Sequence, residues 1–313
     1  MERFRCGFAV FACGAAVMSF ELAGSRVLAP YAGTSLRVWT NLLGVILASL
    51  SAGYWAGGRL ADRRPDPHLL SSLILAAGAC VGLTALLRDR LPSALQARVE
   101  GPGALSLLAS IALFAPANVF LGAVSPFAAR LRIRDPGSSG STVGALHALS
   151  ALGSIAGTFL AGFVLIPLLG SGRLLFALAA ALALLSLALR GGGRAQSRCA
   201  VVLLLLAAGG LAPGATREGL LLDLDTPYHR VRVCEETDEE TGRPVRVLCT
   251  DPYGRESAIF LDGDGLVFDY HRFFRLGEHL VPGFRRVLLI GGGAYAYPNW
   301  FLRRYPGARI DVV

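Results

Sequence analysis

The sequence predicts a multi-pass α-helical membrane domain followed by an incomplete α/β domain that carries its own small β-subdomain. Three observations support this. The 313 residues are 53% hydrophobic and only 17% charged, against about 25% charged in an average soluble domain. Up to about residue 215 the apolar residues come in long runs with short polar breaks. The charge divides at the same place: residues 1–215 hold 17 Arg and 7 Asp+Glu, and residues 216–313 hold 13 Arg and 15 Asp+Glu. All 30 basic residues are arginine. The net charge of +8 therefore belongs to the hydrophobic part, where arginines between apolar runs mark cytoplasmic loops, and it does not describe a nucleic-acid-binding surface. Disorder, a collagen-like chain and a small disulfide scaffold are excluded by the same numbers.

The apolar runs fall near 6–30, 37–58, 69–87, 104–124, 142–168, 173–189 and 199–215, about seven spans. Crossing the hydrocarbon core takes ~20 residues. The last run, Cys199 to Ala215, is the shortest and holds Gly209, Gly210, Pro213 and Gly214. The first is too long for a cleavable signal peptide and is interrupted by Glu21 and Arg26. Arginine clusters at 3 and 5, at 59, 63 and 64, at 130, 132 and 134, and at 190, 194 and 198 share one side if every run crosses, which puts the N-terminus in the cytoplasm. Arg88, Arg90 and Arg98 go against the pattern. Seven crossings place residues 216–313 outside the cytoplasm. An interfacial 199–215 segment would return the domain inside. The apolar VVLLLL core, and the tolerance of membrane helices for Gly and Pro, favour the seventh crossing.

Small and polar residues within the runs carry further expectations. Gly153, Gly157 and Ala161 form a stripe that lets helix backbones approach. Glu21, five residues before Arg26, is costly in the membrane unless paired or facing water. It is read either as a packing contact or as a proton or ligand group. Asn118 and His147 are expected to hydrogen-bond neighbouring helices. In GYWAGGRLADRR (53–64), the Gly-Gly-Arg-x-x-Asp-Arg-Arg loop resembles the cytoplasmic loop motif of major facilitator transporters. There Asp62 would pair with an arginine after the fourth span. A solvated, positive loop with a tight glycine turn is the alternative.

From residue 216 the sequence becomes charged and alternating. HRVRVCEETDEETGRPVRVLCTD reads as a β-hairpin turning at Thr241-Gly242, a register that sets Cys234 opposite Cys249, close but unbonded. SAIFLD reads as a strand, and residues 268–280 have helical spacing. RRVLLIGGGAYAYPNWFLRRYPGARIDVV reads as strand, glycine turn, amphipathic helix and strand, the opening βαβ unit of a nucleotide-binding sheet. Gly291, Gly292 and Gly293 permit backbone angles closed to other residues and let a ligand approach the main chain. Position 296 is alanine where such turns place a third glycine. The second strand ends at Val313, so the sequence reads as a piece of a longer protein. No metal-ligand pattern is read. Cys6, Cys13, Cys80 and Cys199 behave as small hydrophobes in or beside apolar runs.

Taken together, FELAGSRVLAPYAGTSLRVWT, GYWAGGRLADRR and ALSALGSIAGTFLAGFVLIPLLG in the membrane part, with TPYHRVRV, TDPYGRESA, DYHRFF and VLLIGGGAYAYP in the soluble part, resemble the bacterial fused transporter-like/spermidine synthase proteins. The resemblance covers essentially the whole chain. It implies a helical membrane domain over 1–215, a spermidine synthase-type β-subdomain over 216–284, and over 285–313 the first βαβ unit of a Rossmann-like, methyltransferase-like domain. It also implies the bacterial inner membrane, a decarboxylated S-adenosylmethionine-type cosubstrate, a polyamine substrate and room for a homo-oligomer. The implied nucleoside site is Gly291, Gly292, Gly293 and Tyr295, with Tyr297 beside it. The implied substrate residues are Tyr270, His271 and Glu256. Ala294 stands where the family's turn aspartate would be, Glu256 where its glutamine would be, and Arg272 follows Tyr270-His271. A cationic amine needs paired negative charge to be desolvated, so Ala294 favours a nucleoside- or polyamine-binding membrane protein without catalysis, transporter-like or regulatory. The glycine turn and Tyr270-His271 favour an aminopropyltransferase. No catalytic residue is assigned.

Overall fold

An apolar segment that crosses a membrane alone must satisfy its own backbone N–H and C=O groups, and the α-helix does so. In the computed structural model the apolar runs form α1 (Glu2–Ala32), α2 (Leu36–Arg63), α3 (Pro67–Leu87), α4 (Arg90–Gln96), α5 (Pro102–Leu113), α6 (Ala115–Arg132), α7 (Ser139–Leu160), α8 (Ile166–Leu189) and α9 (Arg194–Leu211). The structure describes residues 2–133, 139–189, 194–211, 219–226, 230–251, 254–263 and 265–313. Arg134 and Arg190, used above for orientation, lie outside these. The chain divides into two units near residue 215.

Among the described residues, four helical runs are long and apolar enough to cross a membrane, or five if the bent pair α5–α6 is one span. This multi-pass arrangement differs from the seven expected spans in two places. The fourth is broken, with α5 and α6 meeting at 51°. Pro116 in the first turn of α6 has no N–H to continue the ladder. Buried Asn118, expected to reach a neighbouring helix, instead donates its side-chain amide to Phe114 O across this bend, at 2.9 Å. The fifth and sixth spans form one run, Ser139–Leu189, with a π-turn at Ala161–Leu165 and a break at Gly170 (φ +76). The seventh falls on α9, whose charge-free run, 199–215, continues in the sequence past the described residues.

Packing fixes the helix directions. A Cβ at Gly7 would touch Leu149, one at Gly153 would fall on Phe11, and one at Gly157 on Ala15, so α1 and α7 run parallel. Ser71 and Ser186 exchange hydroxyl-to-carbonyl hydrogen bonds at 2.8 and 2.9 Å, and Gly82 faces Ala179, so α3 and α8 run antiparallel. The starts of α1 and α3 share one end, through Gly7 beside Arg132 and Asp62 paired with Arg130 at 3.2 Å. Their far ends meet where Tyr31 donates to Asp89. Consequently α7 and α8 are antiparallel, and the run Ser139–Leu189 turns back on itself at Gly170.

Helices α2 and α7 carry the same letters 100 positions apart: Gly44/Gly144, Ala48/Ala148, Gly53/Gly153, Ala56/Ala156 and Gly57/Gly157. Gly53 and Gly57 are buried against Val119 and Ala123 of α6, as Gly153 and Gly157 are buried against α1. The other six residues are exposed. The small-residue stripe thus packs helices, as expected, and a second copy of it does the same on α2.

The second unit holds a sheet of four strands in the order β1 (Leu220–Asp225), β2 (Arg230–Thr237), β3 (Pro244–Asp251) and β4 (Gly254–Phe260). Next come α10 (Asp269–Phe273), α11 (Leu276–Leu280), β5 (Arg286–Leu289), α12 (Ala296–Arg304) and β6 (Arg309–Val312), with β5 and β6 parallel. The βαβ order is present, while the sequence reading had omitted β1. The hairpin register is shifted by two residues. Cys234 pairs with Val247, and Cys249 with Arg232. The cause is Asp238, whose carboxylate accepts from Thr241 N at 3.0 Å and Thr241 Oγ1 at 2.6 Å, so the loop closes from Asp238 to Arg243 rather than on Thr241-Gly242. Cys234 and Cys249 are diagonal neighbours, both free.

Candidate functional site

Strand β4 has a covered face on both sides. Ala258 joins Val245 and Val247 in the sheet's core, and Ser257, 1% exposed, faces the glycine turn. That turn follows β5 and opens α12. Gly291 (φ +84), Gly293 (φ +44), Ala294 (φ +50) and Tyr295 (φ +58) are left-handed. Two of these are not glycine, a conformation that costs L-residues roughly 1–2 kcal/mol each, and strain of this kind collects at ligand-binding loops. Gly291 N donates to Val313 O at 2.7 Å and Tyr295 N to Gly292 O at 2.8 Å, and Ala296 N donates to Gly293 O. Among the described residues, the amides of Gly292, Gly293 and Ala294 have no acceptor.

A Cβ at Gly293 would lie 3.8 Å from Ser257 Cβ, Ser257 Oγ and the Tyr270 hydroxyl. Tyr270, on α10, donates to Glu256 O at 2.6 Å. Burial holds its phenol above the ordinary value, the Glu256 charge adds to this, and the neighbouring Ser257 hydroxyl opposes it. Ser257 Oγ has no well-aligned hydrogen bond, and neither has His271 Nδ1. His271 is 3% exposed and sits among Phe268, Tyr270 and Phe274, with the Tyr270 ring centroid at 4.0 Å. Burial pushes its imidazole pKa down, towards the neutral form.

The structure therefore brings Gly293, Tyr270, His271 and Glu256 to one place. Gly292 lies against the Tyr295 ring, 3.6 Å from its Cβ position, while Tyr295 itself is 61% exposed. Tyr297 is a core residue, edge-on to Phe274 and tilted against Phe301. Glu21, Arg26 and Asp62 belong to the other unit. Glu21 is half-buried midway along α1, and among the described residues no hydrogen bond or ion pair reaches its carboxylate. Arg26 has an interaction of its own. His147 is exposed on α7 rather than bonded to a neighbouring helix. Sequence reasoning missed Ser257: in GRESAIF it follows Arg255 and Glu256 as one more polar residue of the kind that faces solvent, and its burial comes with the turn and Tyr270 that lie beside it.

No protein-family model, no curated protein and no solved structure matches this chain.

Proposed function

We propose that the chain is a membrane-anchored, spermidine synthase-like protein of the bacterial inner membrane whose soluble unit binds an S-adenosylmethionine-type nucleoside at the glycine turn. The observation that supports this reading best is the seat of Gly293 on buried Ser257 and Tyr270, with three turn amides left without acceptors. Hydroxyl and amide donors around a close main-chain approach suit the polar groups of a nucleoside. Ala294 removes the carboxylate that would desolvate a cationic amine, so the site binds the nucleoside without completing aminopropyl transfer. Calorimetric titration of the full chain in nanodiscs with S-adenosylmethionine, its decarboxylated form and methylthioadenosine tests this. Saturable binding of at least one, lost in Gly293→Val, is the expected result. Absence of binding by all three at about 1 mM would end the reading.

The N-terminus is assigned to the cytoplasm by the arginine clusters. Six crossings, counting α5–α6 as one span and the Gly170 turn-back as two, return the chain to that side before α9. We place the soluble unit there as well, with α9 along the interface, against the seventh crossing expected from sequence. Gly209, Gly210, Pro213 and Gly214 make 199–215 the run richest in helix breakers, and an adenosyl ligand is a cytoplasmic metabolite. A reporter fused after Arg217 decides this. Fluorescence from a cytoplasm-only protein is expected, and periplasmic phosphatase activity would reverse the assignment.

A further inference from the structure

We infer that the turn selects a nucleoside carrying a zwitterionic amino-acid tail, S-adenosylmethionine itself rather than its decarboxylated form; this rests on the nucleoside reading above. The amides of Gly292, Gly293 and Ala294 follow one another from a right-handed residue (Gly292, φ −96) into left-handed ones, the arrangement in which successive N–H groups converge on an anion. Ser257 points the same way. Its hydroxyl is buried, has no aligned partner, and lies 3.8 Å from the Cβ position of Gly293. A buried donor without an acceptor is costly, and a ligand carboxylate at the turn would supply one. Position 294, where an aspartate would repel that carboxylate, holds alanine.

The experiment compares four ligands on the full chain in nanodiscs. S-Adenosylmethionine and its decarboxylated form differ by one carboxylate, and S-adenosylhomocysteine and methylthioadenosine differ by the end of the tail that bears both charges. The carboxylate-bearing member of each pair is expected to bind at least about tenfold more tightly, the worth of charge-assisted hydrogen bonds. Ala294→Asp should remove that preference, and aspartate tolerates the left-handed φ at this position. Ser257→Ala should reduce it in the same direction. Equal or tighter binding of the decarboxylated form to the unsubstituted chain would overturn the inference and leave the nucleoside reading standing. A preference unchanged by Ala294→Asp would overturn it too, since the carboxylate would then lie elsewhere. Failure of all four ligands to bind would remove the nucleoside reading itself.

Discussion

A Cβ added at Gly53, Gly57, Gly153 or Gly157 would land on the main chain of a neighbouring helix, whereas one added at Gly291 would meet nothing within 4 Å. The first four glycines are buried in regular helices, and the last is an exposed turn residue at φ +84. Glycine in the membrane unit is thus used for the volume it lacks. In the soluble turn it is used for the angle it permits and the main chain it leaves bare. The two uses predict different responses to one substitution, and the largest response belongs to the helices. Gly153→Leu would place four carbons where Phe11 of α1 already sits. It should cost roughly 3 kcal/mol or more by overpacking, read as loss of the folded fraction on titrating detergent-solubilised protein with denaturant. Because α2 repeats the α7 pattern, Gly53→Leu should cost a similar amount against α6. A Gly53→Leu chain as stable as the unsubstituted one would break the equivalence of the two helices.

The same contrast explains what could be read from the sequence. Helices of the membrane unit are legible because apolar length alone demands them, and the Gly153-Gly157 stripe is legible because its spacing matches the helical period. The bend at Phe114 and the reversal at Gly170 were less so. Pro116 and the glycine at 170 are visible as letters, but a proline or glycine inside a membrane helix is often accommodated without a break. In the soluble unit the strands showed through alternation, but their register depended on the Asp238 side chain closing its loop, a local bond that periodicity does not encode. The glycines were named from the strand–turn–helix order and Tyr270, His271 and Glu256 from resemblance, and their meeting point needed a partner, Ser257, which lies against a residue 36 positions later in the chain. Long-range cover of this kind has no local signal.

A second test sharpens the comparison by asking whether the site beside the glycine turn is as closed to water as the helix contacts are. His271 is buried and its imidazole pKa is pushed below the ordinary value. In the unfolded chain the imidazole takes up a proton near pH 6.5, while in the folded chain it resists until lower pH. Its burial therefore costs nothing above pH 6.5, and stability falls as the pH drops from there towards the folded pKa. The limiting slope for one proton is about 1.4 kcal/mol per pH unit. Below about pH 4 the loss should deepen, because Asp238 and Asp262 have carboxyl pKa values held down by Thr241 and Arg243 and lose that stabilisation on protonation. Unfolding midpoints at pH 7.5, 6.5 and 5.5, followed by Trp300 emission in a chain with Trp39 and Trp55 replaced by Phe, should fall only over the last interval. His271→Phe should flatten that interval while keeping the aromatic cluster. A slope that persists in His271→Phe would assign the acid sensitivity elsewhere.

The smallest effect is expected at the turn, and its size is the point of the test. Gly291→Ala adds one carbon into open space, so no overlap contributes and only the left-handed φ is penalised. That penalty is about 1 kcal/mol, well below the cost at Gly153. The alanine keeps the N–H that donates to Val313 O, so β5 and β6 stay joined and the register of the parallel pair is unchanged. Thermal unfolding of the soluble unit should shift down by a few degrees, with ligand affinity altered less than in Gly293→Val, because position 293 touches Ser257 and Tyr270 and position 291 touches neither. If Gly291→Ala proved as damaging to stability as Gly153→Leu, the turn would be a packed element like the helix contacts. The distinction between glycine as absent volume and glycine as available angle would then fail for this molecule.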